Sequence, residues 1–312
     1  MPRVTTTLIA EDTVTAPEDL NSWMAWIPLF ILPAAVCLFR SRLQPWEFMW
    51  SLSIATFCGC KWQTWCNARE ARRRASALRN IGYLFLWPGM DADIFLNCEN
   101  KPTKPTSVAW FAALAKTVAG IVLLVVVAGR VGHIHPLLTG WTAMLGLILF
   151  LHFGTFHLLA LLWQSTSINA EAVMRSPLRS TSLGEFWGKR WNLAFHELMR
   201  DLVFQPVRKR LGVSAATLAA FLASGLLHDF VISFPARGCY GLPTAYFVLQ
   251  GLGVLFERSR AGRWLGLREG VRGWLFALTV AGAPVFLLFH RPFVMTVIVP
   301  FVAAIRNALV QV

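Results

Sequence analysis

A small set of ionisable side chains lies within or beside the long apolar segments of this 312-residue sequence. They are Glu47, Lys61, Lys116, His152, His157, His228 and Asp229. An ionisable group is costly to bury in an apolar environment, so each of these residues is a functional candidate. The chemistry they could support is proton transfer, with a neutral histidine as the acceptor.

His228 is the strongest of these candidates because of the helix that carries it. It lies in SGLLHDF, after the small residues Ala219, Ala220, Ala223, Ser224 and Gly225. Small side chains let helices approach closely, so His228 is expected to face protein or an internal cavity. Desolvation there favours the neutral imidazole that a general base needs. The alternative is a structural histidine that bonds a neighbouring helix, and Ser224 is expected to serve helix packing.

The other histidines and the cysteines give no sign of a metal site. His152 and His157 are about 140° apart around a helix, so they do not share a face, and a hydrogen bond to a neighbouring helix is expected for each. No HExxH motif occurs, and the six cysteines include no CxxC pair. The sequence therefore predicts neither a metal site nor a disulfide framework.

A second cluster of candidates lies in FWGKRWN, residues 186–192. Aromatic and aliphatic residues recur at helical spacing over 183–205, with charged residues on the other faces, which predicts an amphipathic helix. Ser182 and Glu185 form a capping box that would start this helix, and Pro206 is placed to end it.

The elements that must position these residues are transmembrane helices. The chain is 56% hydrophobic and 14% charged, with a mean hydropathy of +0.54, which excludes a water-soluble globule and a disordered chain. Eight segments are candidate spans: 23–39, 43–62, 108–129, 137–163, 214–234, 242–256, 273–289 and 292–309. We therefore expect an all-α polytopic membrane protein, with one membrane domain over 1–312 and a polar N-terminal tail over 1–22. Residues 81–96 are too short to span and are expected to be interfacial or re-entrant.

The distribution of basic residues gives an orientation. The chain has 29 Lys and Arg against 16 Asp and Glu, a net charge of +13. If both termini are cytoplasmic, 23 basic residues fall on the cytoplasmic side and 5 on the other. This bias accounts for the charge without a nucleic-acid partner. The choice between a bacterial plasma membrane and the endoplasmic reticulum, and the oligomeric state, stay open.

The two motifs together resemble a known family. SLGEFWGKRWN at 182–192, FQPV at 204–207 and SGLLHDF at 224–230 occur in the order found in the membrane-bound O-acyltransferase superfamily, and most resemble its wax-synthase-like branch. LQGLGVLFE at 249–257 and WPGMD at 87–91 are also similar, with less specificity. The resemblance is strong over 182–257, although Asp229 stands where this family often has Glu.

This resemblance implies acyl transfer from acyl-CoA to a hydroxyl, with His228 as the general base. Asn192 would either donate to the thioester carbonyl oxygen or orient His228 and the substrate. Lys189 and Arg190 would meet the CoA phosphates, or they reflect only the positive-inside rule. Trp187 and Trp191 would line an acyl tunnel, or they anchor an interfacial helix.

Three functions remain as hypotheses at this point. The first is wax ester synthesis from a long-chain alcohol, with acyl-CoA as substrate and no further cofactor. The second is acetyl transfer to a sterol, terpenoid or other small alcohol. The third, from another class, is a secondary transporter with an intramembrane His and Asp, although the sequence lacks the inverted repeats expected of one.

Overall fold

A computed structural model describes residues 23–99 and 102–311, which are mostly helical and include no β-strand. The predicted polar tail over 1–22 lies outside the described residues. The first half contains α1 (Met24–Leu38), α2 (Pro45–Asn67), α3 (Arg69–Arg74), α4 (Ala77–Leu86), α5 (Ala92–Leu96), α6 (Ser107–Val131) and α7 (Pro136–Ser165). The second half contains α8 (Leu183–Glu185), α9 (Leu193–Ala236), α10 (Leu242–Arg258), α11 (Arg260–Trp264), α12 (Gly270–Leu288) and α13 (Arg291–Leu309).

Helices occupy all eight predicted spans, and the expected fold class is confirmed. Five of them, α6, α7, α9, α12 and α13, are long and apolar enough to cross a membrane. Helices α1, α2 and α10 are shorter or less apolar, so the count of eight spans is not confirmed. The protein is an integral membrane protein of the all-α polytopic class.

Glycine allows the closest helix contacts. A Cβ on Gly120 of α6 would lie 2.4 Å from the backbone nitrogen of Phe150 in α7. A Cβ on Gly225 of α9 would lie 2.6 Å from the Cα of Thr244 in α10. Such approaches are typical of helix pairs in membranes, where small residues allow backbone contact. The expectation that the His228 helix packs closely against its neighbours is thus confirmed.

The predicted single helix over 183–205 is wrong. Helix α8 continues as a π-turn over Phe186–Arg190, and the chain then breaks at Asn192, which adopts a left-handed conformation with φ of 43°. A new helix begins at Leu193 and runs through Pro206. A proline removes one α-helical hydrogen bond and its ring crowds the preceding turn. Here the turn before Pro206 is a wider π-turn over Arg200–Phe204, so the helix continues past the proline.

Helix α9 instead changes direction six residues later. Gly212 has φ of 79° and ψ of 178°, a backbone conformation open to glycine and outside the helical region. The helix therefore consists of two segments, and His228 lies on the second. Gly212 thus separates a first segment over 193–211 from a second segment over 213–236.

Residues 81–96 form a helix, a turn and a second helix. Tyr83, Trp87 and Phe95 are at most 5% exposed and pack together. The ammonium of Lys61, 1% exposed on α2, donates to the carbonyl oxygen of Gly89 and lies 3.4 Å from the centroid of the Tyr83 ring. This cation is therefore held inside the protein. The interfacial or re-entrant placement of 81–96 stays a prediction.

Candidate active site

A cavity of about 280 Å³ lies between residues 184–192, α9 and α10. The predicted site residues that line it are Trp187, Trp191, Asn192 and His228. The structure thus brings together residues from two motifs that are separate in the sequence. Asn192 of the first motif and His228 of the second are 36 positions apart. Aromatic and aliphatic side chains, among them Phe204, Phe221 and Phe247, form a large part of the remaining lining, as is usual for a site that holds an apolar ligand.

The hydrogen bond of His228 defines its tautomer. Its Nδ1 lies 2.7 Å from the carbonyl oxygen of Ser224, one helical turn earlier. A carbonyl oxygen can only accept, so Nδ1 carries the hydrogen, and Nε2 of the neutral ring has a free lone pair. The rings of Phe195 and Phe247 flank the imidazole, with centroid distances of 5.6 and 4.3 Å. His228 can therefore accept a proton through Nε2.

Ser224 contributes to this site through its backbone. Its hydroxyl donates to the carbonyl oxygen of Ala220 at 2.8 Å, within the same helix. The hydroxyl is thus engaged locally, as expected for a packing residue, and the carbonyl is the group that orients His228.

Asp229 follows His228 directly, but its carboxylate bonds elsewhere. Its oxygens accept from the Ser233 hydroxyl and the Gly241 N–H, both at 2.8 Å, from the Thr244 N–H at 3.0 Å, and from the Thr244 hydroxyl. Within the described part of the chain, no hydrogen bond joins it to the imidazole of His228. Asp229 therefore ties α9 to the start of α10 and does not form a carboxylate–histidine pair.

Asn192 caps a helix and also lines the cavity. It is the N-cap of α9, and its Oδ1 accepts from the Phe195 N–H at 3.4 Å. Asparagine tolerates the left-handed conformation better than most residues do. Since the carbonyl oxygen is used in the cap, the side-chain NH₂ is the group that can donate to a molecule in the cavity.

Trp187 and Trp191 enclose the cavity on the side of the FWGKRWN motif. The indole N–H of Trp187 donates to Oε1 of Gln250 at 3.2 Å. Trp191 stacks on Phe186, with centroids 5.5 Å apart and an interplanar angle of 13°. Both indoles are therefore packed within the protein, and both contribute to the wall of the cavity.

The two basic residues of the motif do not line the cavity. Arg190 pairs with Glu185, with 2.8 Å between Nε and Oε1, and Lys189 is exposed. Burial alone would raise the pKa of the Glu185 carboxyl, but hydrogen bonds from Thr181 and Arg190 outweigh it and hold that pKa below its ordinary value. The capping box is half confirmed: the Ser182 hydroxyl accepts from the Glu185 N–H at 3.0 Å, while the Glu185 carboxylate binds Thr181 instead of Ser182.

The arginines that do line the cavity are Arg200 and Arg258. Arg200 is paired with its neighbour Asp201, with 2.8 Å between Nε and Oδ1. The guanidinium of Arg258 has no hydrogen bond or ion pair among the residues that the structure describes. Arg258 therefore supplies an exposed cation at the edge of the cavity.

His196 is one of the further polar residues that line the cavity and that the sequence analysis did not predict, together with Gln205 and Thr217. Asn192, His196 and Arg200 follow one another at intervals of four residues, which places them on one face of α9. This i, i+4, i+8 spacing was visible in the sequence. The spacing indicates a shared face only because Asn192 is the N-cap of a helix that begins at Leu193.

His152 and His157 lie outside this cavity. Nδ1 of His152 is buried and has no hydrogen-bond partner in the described ranges, and its ring packs against Phe156 at 5.3 Å. The expected hydrogen bond to a neighbouring helix is therefore wrong for His152. Nor does the described part of the chain hold a group of three or more His, Cys, Asp or Glu placed to bind a metal ion.

Most of the residues that line this cavity lie in a region that matches a known protein family. Residues 170–249 match the membrane bound O-acyl transferase family. The chain is 38% identical over 118 residues to a long-chain-alcohol O-fatty-acyltransferase of Simmondsia chinensis. This match covers 33% of this chain and 32% of that protein. It is 34% identical over 126 residues to a probable long-chain-alcohol O-fatty-acyltransferase 2 of Arabidopsis thaliana, covering 36% and 37%.

A third relative carries a different acceptor in its name. The acyl-CoA–sterol O-acyltransferase 1 of Arabidopsis thaliana is 28% identical over 111 residues, covering 32% of each chain. In these three relatives the match spans only 32% to 37% of the relative's own length. The resemblance to the wax-synthase-like branch is confirmed by these matches, and the family match includes both Asn192 and His228.

Proposed function

Because residues 170–249 match the membrane bound O-acyl transferase family, we propose that this protein transfers an acyl group from acyl-CoA to an alcohol. One observation carries the proposal. A histidine with a free Nε2, a donor amide and two arginines line one largely apolar cavity. A proton acceptor, an oxyanion donor and a basic edge are the parts that ester formation from a CoA thioester requires.

His228 is the general base in this reaction. The alcohol oxygen bonds to the thioester carbonyl carbon while its proton passes to Nε2, a step to which a positioned base contributes roughly 10² to 10⁴ in rate. The Nδ1–H bond to the Ser224 carbonyl stabilises the imidazolium that forms. The C–S bond then breaks, its electron pair stays on sulfur, and the imidazolium returns the proton to the CoA thiolate.

Asn192 stabilises the negative charge that develops on the carbonyl oxygen. Its NH₂ group is the free donor of the side chain, because Oδ1 is engaged in the cap of α9. One such donor contributes roughly 10² to 10³ in rate. The left-handed backbone of Asn192 places this amide at the cavity wall, before α9 begins.

Arg200 and Arg258 are the residues that meet the CoA phosphates in this proposal, in place of Lys189 and Arg190. Phe247 packs on His228, and Arg258 lies eleven residues further along α10. At 1.5 Å per residue this separation is about 16 Å, comparable to the pantetheine arm between the thioester and the pyrophosphate. A guanidinium at that distance pairs well with phosphate oxygens.

The acceptor follows from the relatives. Two of those named above act on long-chain alcohols by name, and the apolar cavity suits an aliphatic chain, so a long-chain alcohol and a wax ester product are our first assignment. A sterol or another small alcohol is the second candidate, because one relative is named for a sterol. The similarity to acyltransferases gives the transporter alternative no support. Both termini are assigned to the cytoplasm, the side that receives 23 of the 29 basic residues.

The test is ester formation by the purified protein in nanodiscs, with a panel of acyl-CoAs and alcohols, followed by thiol release and ester mass. His228→Ala should reduce turnover at least a hundredfold, and retention of more than about a tenth would exclude His228 as the base. His152→Ala is the matched control, since His152 does not line the cavity, and it should keep most activity. Asn192→Ala should also lower kcat strongly. If the folded wild type forms no ester with any pair, acyl transfer is the wrong function.

The same assay tests the phosphate contacts. Replacing Arg200 and Arg258 with Gln should raise the KM for acyl-CoA and leave kcat less affected, because a remote phosphate contact binds ground and transition states about equally. Added salt should weaken acyl-CoA binding more in the wild type than in this variant. The matched control is the replacement of Lys189 and Arg190 with Gln. A larger KM effect in that control would return the phosphate site to the motif.

A further inference from the structure

Trp187 forms a wall of the His228 cavity and is packed from behind by residues that do not line it. Its ring lies 5.9 Å from Phe221 and 5.7 Å from Phe247, which both line the cavity. On another side it lies 6.5 Å from Tyr246, which is 3% exposed and is not part of the lining. The indole therefore separates the cavity from a closed part of the protein interior.

A buried amide fixes the position of this wall. Gln250 is fully buried, accepts from the Trp187 N–H at 3.2 Å and donates to the Val280 carbonyl oxygen at 2.8 Å. A buried amide without hydrogen-bond partners would lower the stability of the protein, so Gln250 needs both of these hydrogen bonds. Since the amide is itself anchored to Val280, the indole is held in one orientation. The wall cannot move aside without leaving Gln250 Oε1 without its partner.

The size of the cavity makes this wall consequential. The cavity of about 280 Å³ is at the lower end of the range of about 300 to 1,000 Å³ that is usual for ligand sites. A long aliphatic chain that starts beside His228 reaches a wall before it is fully enclosed. The residues that form a rigid wall therefore determine which chains fit.

We infer that Trp187 limits the length of the aliphatic chain that the cavity accepts beside His228. The inference rests on the proposed acyl transfer and adds a determinant of substrate specificity to it. The ligand is a saturated hydrocarbon chain, which both the acyl donor and a long-chain alcohol contain. Trp187→Ala would open about 140 Å³, room for about five more methylene groups, and Trp187→Phe would open less.

The experiment measures kcat/KM in two series, with chains from about two to about eighteen carbons. One series varies the acyl-CoA at a fixed alcohol, and the other varies the alcohol at a fixed acyl-CoA. Trp187→Ala should move the preferred length up by about five carbons in at least one series, with a gain of about fourfold in kcat/KM per methylene newly accommodated. Trp187→Phe should move it by one or two carbons. Trp264→Ala is the matched control, because Trp264 is 84% exposed, and its profile should equal that of the wild type.

The outcomes separate this inference from the proposed function. A shift in one series only identifies the chain that lies against Trp187, and a shift in both supports a shared wall. An unchanged preferred length for both Trp187 variants in both series overturns the inference while ester formation persists. If the wild type forms no ester, the proposed function fails, and thermal stabilisation by the alcohol series still tests the wall in the same variants. If Trp187→Ala does not fold, Trp187→Phe decides the question.

Discussion

Replacing Asp229 with Asn tests the contact between α9 and α10 that lies beside His228. The carboxylate accepts four hydrogen bonds: Oδ1 accepts from Ser233 and Gly241, and Oδ2 accepts twice from Thr244. An asparagine keeps one oxygen and presents an NH₂ group in place of the other. On either side the NH₂ group then faces one hydroxyl and one backbone N–H, both of which are donors. The hydroxyl can rotate and accept from the NH₂ group, but the backbone N–H is left without an acceptor.

The magnitude follows from this count. Hydrogen bonds to a charged group contribute about 1.5 to 3 kcal/mol each, and a donor left without a partner costs about 1 to 3 kcal/mol. Asp229 is partly exposed, so water can satisfy part of what is lost, and the lower end of the range applies. We therefore expect Asp229→Asn to lower the free energy of unfolding by about 2 kcal/mol. Ester formation should fall as well, because the start of α10, which carries Phe247 against His228, is no longer held.

The assay is SDS-titrated unfolding of the purified protein, followed by tryptophan fluorescence. Asp201→Asn is the matched control, because Asp201 is 56% exposed and pairs with Arg200 at the surface, where such pairs contribute about 0 to 1 kcal/mol. If Asp229→Asn lies within about 0.5 kcal/mol of the wild type, the four bonds do not stabilise the helix pair and the reasoning is refuted.

Three further predictions address acid sensitivity, sidedness and buried hydrogen bonds. The pKa of the Glu185 carboxyl is lowered in the folded protein, so its ionised form stabilises the fold fully above the ordinary pKa of a carboxyl group, and this stabilisation is lost as the pH falls through the lowered pKa. Glu185→Gln should therefore reduce the loss of stability in acid. An impermeant maleimide confined to the non-cytoplasmic side of sealed membrane vesicles should label exposed Cys239 and spare exposed Cys98, and the reverse would invert the topology. Tyr83→Phe removes hydrogen bonds to Thr64 and Met90 and should cost about 1 to 2 kcal/mol, whereas Tyr240→Phe, at a 60% exposed position, should be neutral in the same unfolding assay.

The helical segments could be predicted from the sequence because the signals for them are local. A run of about 20 apolar residues identifies a membrane helix by its own length and composition. All eight apolar segments are helical, and the small residues before His228 correctly predicted close packing, here Gly225 against Thr244. The two motifs also pointed to His228 and Asn192, which share one cavity.

The shape of the motif region could not be predicted in the same way. Helical periodicity assumes 3.6 residues per turn, and each π-turn or break changes which residues share a face from that point on. Because of the π-turn over Phe186–Arg190 and the break at Asn192, the residues that share a face in the structure differ from those that would share one in a continuous α-helix. The motif pointed to Lys189 and Arg190 as the basic residues of the site, whereas Arg200 lines the cavity.

Tertiary structure alone decided the contacts between residues that are far apart in the chain. Gln250 is 63 positions from Trp187, and Asp229 bonds to Thr244 across a turn, so neither partnership follows from a local pattern. The buried ammonium of Lys61 depends on the Gly89 carbonyl, 28 positions away. The sequence alone determined which segments are apolar enough to form membrane helices and which residue types are costly to bury, since both properties depend on the side chains themselves. Which partner satisfies each buried polar group depends on how the helices meet, and only the folded structure defines that.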